Sequence, residues 1–196
     1  MTNAVYWVES FAAQRGMRYE AQGDERWLRA WEPYTTLKVP LCYEHVLEAT
    51  GAGGSITIAR AMFDYAAPAP GMPPSRVGTW IAIVQDTRIE VKVATTSDFG
   101  GIFSEPLELV DMSRLLTGDP AFDHVFATFA PSADAVARGM TASVRKLLLS
   151  WRSPVHAELR PGGFVLAPVS APADPSGLNW LLDAVHIFGD KATKRV

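Results

Sequence analysis

The patterning of the middle of the chain restricts the fold more than any other feature. Residues 55–65 alternate, with Ile56, Ile58, Ala61 and Phe63 apolar, and the phase slips near Arg60, as at a β-bulge. Residues 77–85 follow as an apolar run. Residues 88–93 alternate again, with Ile89, Val91 and Val93 on one face and Arg88, Glu90 and Lys92 on the other. Asp86-Thr87, between those two runs, is predicted to turn an antiparallel hairpin. The connection over residues 66–76 holds four prolines and a glycine, which neither a strand nor a helix interior tolerates. A repeat of two over connected runs calls for a sheet.

The ends of the chain follow the other period. Val5, Val8, Phe11 and Ala12 share one helical face, and Gly16 stands where a left-handed residue would close the helix. Ser132 is a predicted N-cap. Thr141 opens a helix whose Val144, Leu147, Leu148 and Trp151 are expected in the core. Asp174-Pro175 opens a last helix that turns Leu178, Leu181, Leu182 and Val185 inward and is expected to end at Gly189. Residues 17–20, 102–110 and 122–129 read as strands. Residues 155–160 and 164–169 read as a hairpin about Pro161-Gly162-Gly163. Strands in the middle and helices at the ends predict a single α+β domain over residues 1–196. Its sheet is expected to be largely antiparallel, flanked by helices over residues 5–14 and 178–188.

Charge and cysteine content narrow the function classes. The chain carries 18 basic and 21 acidic side chains, a net charge of −3, spread evenly over both halves. It lacks the basic excess on which nucleic-acid binding rests, so no nucleic-acid partner is expected. Cys42 is the single cysteine, which excludes an intrachain disulfide. No stretch approaches the roughly 18 apolar residues of a membrane span. Met1 to Gly16 lacks the basic start of a secretory signal. A cytoplasmic location is the expectation.

Motifs that would carry chemistry are missing their partners. There is no Walker A sequence, and Gly51-Ala52-Gly53-Gly54 leads into a strand rather than a helix, so it reads as a flexible turn. No G-x-S-x-G elbow occurs. His156-Ala157-Glu158 imitates the H-x-E of zinc deaminases without the paired cysteines that reaction needs. His156 and Glu158 are therefore expected to point into water from an edge strand. Cys42 and His45 are three apart but lack a further ligand, so Cys42 reads as a buried thiol. His124 follows Asp123, and His186 follows Asp183 by three, pairs that are usually structural. No metal and no cofactor are expected.

A binding role therefore leads: a non-catalytic interaction module that engages a protein partner in a bacterial assembly or regulatory system. Its proposed surface joins Trp27 and Trp31, four apart and flanked by Arg26 and Arg29, to the proline-rich loop with Pro70 and Pro73. The alternative is an enzyme, such as a hydrolase, with a site assembled from the distant residues Asp111, His124 and Glu105. Oligomeric state is not legible.

The stretch from Phe122-Asp123-His124-Val125-Phe126 through Asp134-Ala135, Met140-Thr141, Arg145 and Leu147-Leu148 to a glycine-turn hairpin and a final helix resembles a widespread bacterial domain family of uncharacterised function. The opening Phe11-Ala12 and Arg15-Gly16-Met17-Arg18-Tyr19 also look like the start of such proteins. The resemblance spans mainly residues 122–185 and rests on packing positions. It implies no catalytic residue. Relatives in that family often bear membrane segments.

Overall fold

The computed structural model describes residues 6–24, 40–51, 54–65, 75–97, 111–151, 153–168 and 174–194. The first helix, α1 (Tyr6–Gln14), buries Val8, Phe11 and Ala12 and ends as its sequence predicts. Gly16 adopts φ +65°, its N–H reaching the Ala13 carbonyl while the Met17 N–H reaches Ala12. That double bond satisfies two orphan carbonyls, and buried Met17 seals it. Nine strands follow among the described residues: β1 (Arg18–Gln22), β2 (Cys42–Gly51), β3 (Gly54–Tyr65), β4 (Ser75–Gln85), β5 (Val93–Thr96), β6 (Ser113–Leu115), β7 (Ala127–Ala130), β8 (Val155–Arg160) and β9 (Gly163–Pro168). The other helices are α2 (Pro120–Val125), α3 (Ala133–Gly139), α4 (Ala142–Ser150) and α5 (Pro175–Thr193).

All strands join one sheet in the order β1-β2-β3-β4-β9-β8-β5-β7-β6, and every pairing is antiparallel. This is the α+β fold with flanking terminal helices that the patterning predicts. The larger core lies on one face, where every described helix contributes side chains. There Trp80, Ile58, Leu159 and Phe164 meet Phe11 of α1, Phe122 of α2, Leu148 of α4 and Leu181 of α5. The second face carries its own buried cluster, including Phe63, Ile81, Ile83 and Val165, and all of that cluster's described members come from strands. Both faces of the central strands are therefore covered, and this decides several departures from the sequence reading.

The expected hairpin of residues 77–85 and 88–93 does not form. β4 pairs with β3 and β9, while β5 pairs with β7 and β8. The β8–β9 turn intervenes: Asp86 donates its N–H to the Gly162 carbonyl, and Gly162 donates its own to Ile89. Residues 122–129 are not one strand. Asp119 caps α2 by accepting the Phe122 N–H, Pro120 supplies the first helical residue, and the Phe122 and Phe126 rings stack at 4.5 Å. Only from Ala127 does the chain extend. The last helix runs past Gly189 to Thr193. That glycine lets α5 lie close on the sheet, since a Cβ there would meet the Phe164 ring at 3.3 Å. In α4, Val144 and Leu148 are buried as expected, while Leu147 and Trp151 are only partly so, Trp151 packing edge-on against Trp180. The predicted strand over residues 102–110 lies outside the described residues.

Candidate functional site

Two sites rise above the packed background. The first is a ridge where β4 leaves the sheet. Asp86 is buried, and its carboxylate accepts the Arg88 backbone N–H at 2.9 Å and the guanidinium at 2.9, 3.2 and 2.7 Å. The fork holds the Asp86 carboxyl below its ordinary range, chiefly through the Arg88 side-chain hydrogen bond. Arg88 thereby becomes a fixed wall between two grooves. One, of about 500 Å³, runs between Ile89–Val91, the end of α3 at Ala137 and Arg138, and the end of α5 at Lys194. The other, of about 360 Å³, lies between the β2–β3 hairpin and α5, with Ile56, Val84 and Phe164 on its apolar floor. Arg138 is tied to Asp134 at 2.8 Å one helical turn away. Apolar floors between fixed charges suit the capture of an extended or helical segment.

The second site is a β-bulge on β2. Glu44 pairs with Arg60 and Leu47 with Ile58, so two residues, His45 and Val46, stand against Ala59 alone. The phase slip read near Arg60 thus has its extra residue on the neighbouring strand. His45 takes φ +52°, uncommon for a residue with a side chain, and this turns its ring onto the helix-bearing face. There its Nδ1 shares a 2.9 Å hydrogen bond with the Tyr19 hydroxyl, and the two rings stack. Burial pushes the His45 pKa down, helped by the charge of Arg60 and opposed by Glu44. Arg60 and Trp80 lie directly opposite each other on β3 and β4.

A third polar group is buried on the second face. β8 is central, between β9 and β5, so His156 and Glu158 do not point into water as expected of an edge strand. They are 1% and 3% exposed. Glu158 binds the Arg160 guanidinium at 2.9 Å and lies 3.7 Å from His156 Nε2. The H-x-E-x-R phase against Val155, Ala157 and Leu159 carried the missed signal: both phases of one strand were to be buried.

The remaining expected site residues are scattered or undescribed. Asp111 is exposed at φ +63°, and His124 is exposed on α2; neither lines the two grooves. Glu105, Arg26, Trp27, Arg29, Trp31, Pro70 and Pro73 lie outside the described residues. Of the predicted proline-rich connection, Ser75 and Arg76 belong to β4, pairing with Tyr65 and Asp64. Cys42 is half-buried at the start of β2 rather than a core thiol. Among the described residues, no three metal-ligating side chains converge, and no helix is long and apolar enough to cross a membrane.

The fold is similar to that in the crystal structure of the mycobacterial trehalose monomycolate transport factor A, TtfA. The likeness has a TM-score of 0.66 at 12% identity and covers 100% of this chain and 99% of that one. At that identity it is a likeness of fold. No family model and no curated protein matches the chain.

Proposed function

We propose that this chain is a non-catalytic interaction module that holds a segment of a protein partner in a bacterial assembly or regulatory system, in an accessory role. The observation that carries this reading is the Arg88 ridge, with a groove on either side of a guanidinium already fixed by Asp86. A general acid or base works best with a pKa near the operating pH. The Asp86 carboxyl is instead held down by its arginine, which suits a fixed recognition charge. The full-length likeness of fold to a transport factor supports an accessory role. The cytoplasmic location and the bacterial source remain part of the proposal. So does the surface of Trp27 and Trp31, as a second place of contact.

The test fills the grooves without touching the core. Ala137 is exposed on α3, and Thr50 is exposed on the β2–β3 hairpin. Ala137→Trp and Thr50→Trp variants, checked for an unchanged melting temperature, are compared with the unaltered chain in crosslinking from the native host. A partner lost from either groove variant supports the reading. A partner kept by both but lost from the Trp27→Ala, Trp31→Ala double variant moves the contact to the tryptophan surface. Turnover of a small substrate that depends on Asp111, His124 and Glu105 would replace the reading with the enzyme.

A further inference from the structure

We infer that Arg60 and Trp80 form the donor pair of a binding site for a small free carboxylate on the helix-bearing face of the sheet. The two residues are cross-strand neighbours, so their side chains leave the sheet on the same side. Trp80 is 1% exposed, yet among the described residues its indole Nε1 has no hydrogen-bond partner, and the Nε of Arg60, its cross-strand neighbour, is buried in the same condition. Indole and guanidinium groups can only donate. Neither can satisfy the other, and cross-strand neighbours stand close enough for one two-oxygen acceptor to serve both.

The surroundings hold the Arg60 side chain on this face of the sheet. Gly78, two residues before Trp80, has no side chain; a Cβ there would lie 2.4 Å from Arg60 Nε and 2.6 Å from Met62 Sδ. Arg60 can therefore lie flat across β4. His45 Nδ1 is already engaged by Tyr19. Glu44 stands opposite Arg60 on β2, but no ion pair joins them among the described residues, so the guanidinium keeps its charge for a ligand. Trp7 of α1 meets the Trp80 ring edge-on at 6.4 Å, giving the site an aromatic wall.

Donor number and charge point to the ligand class. Two N–H groups from different side chains match the two oxygens of one carboxylate, and a single guanidinium balances its single negative charge. A phosphate dianion would bring a second charge beside Glu44 and against Met62 and Trp7. Substrate turnover is not implied; the site would read or carry an acidic small molecule.

The test uses the indole resonances of the full-length protein labelled with ¹⁵N, with Trp80 assigned through Trp80→Phe. Acetate and propionate are titrated at constant ionic strength, with sodium chloride as the control. The expected result is a saturable displacement of the Trp80 indole N–H by carboxylate and not by chloride. Arg60→Gln should weaken it by about tenfold or more. Arg60→Lys, which keeps the charge but not the Nε donor, should weaken it as well. An absent or non-saturating displacement, the same response to chloride, or undiminished binding in both Arg60 variants would overturn the inference. If Arg60→Gln fails to fold, the unaltered protein and Arg60→Lys decide the outcome.

Discussion

Two buried polar groups in the same sheet are built in opposite ways. On the second face, the Glu158 carboxylate is matched by the Arg160 guanidinium at 2.9 Å, with His156 Nε2 3.7 Å away. On the helix-bearing face, Arg60 and Trp80 present two buried N–H groups with no acceptor among the described residues. Burying a polar group is expensive unless it is bonded. The Glu158–Arg160 pair meets that demand inside the chain, whereas the inferred carboxylate would meet it for Arg60 and Trp80 from outside.

Substitution at the two groups should therefore give unequal effects. Glu158→Ala removes a buried partner of Arg160 inside a covered sheet and should cost about 3–5 kcal/mol in chemical denaturation. Arg60→Met removes a donor that had no acceptor at Nε, and its effect should stay within about 1 kcal/mol. Equal losses at the two positions would dissolve the contrast. Leu148→Ala in α4, with both polar groups left intact, calibrates the scale at about 2–5 kcal/mol.

Gly78→Ala sharpens the comparison from the backbone side. The new methyl must displace the ends of Arg60 and Met62, both flexible, so stability should fall by no more than about 1–2 kcal/mol. Carboxylate binding should be lost with the moved guanidinium. Retained binding at full affinity would show that Arg60 does not lie where the site requires it.

The smallest effects are in pH dependence. Burial lowers the His45 pKa, so the folded chain binds that proton more weakly than the unfolded one. The stability this contributes is complete above the ordinary histidine value of about 6.5 and is lost as pH falls from there toward the folded value. Asp86 is also lowered, here by Arg88, so its contribution is present above the ordinary carboxylate range and lost only below about 4. His45→Gln should flatten the upper part of the acid decline in melting temperature, and Asp86→Asn the lower part. A decline left unchanged by both would remove these groups as its source.

The elements that local pattern controls were legible from the sequence. Gly16, Ser132 and Thr141 close or cap helices as their residue types predict. The alternation of β3 and the glycine turn of β8–β9 gave true strands. What failed depended on long-range partners. Residues 86–92 look like the second half of a hairpin until Gly162 takes the hydrogen bonds of Asp86 and Ile89. His156 and Glu158 look like an exposed phase until β8 is placed between β9 and β5. Gly189 looks like a helix end until Phe164 is found beneath it. The candidate sites were hidden for the same reason: Tyr19, His45, Arg60 and Trp80 come from four strands and meet only through register.

The most direct test of the contrast is the indole proton of Trp80 in carboxylate-free buffer. Among the described residues, Trp80 is a tryptophan that is fully buried with an unbonded Nε1. The account predicts a Trp80 indole proton shielded as an unbonded N–H is, together with slow exchange with solvent, and a downfield move once acetate is added. A resonance already at the hydrogen-bonded position before any carboxylate is present would contradict it, because the donor would then already have an acceptor, in the chain or as a bound water.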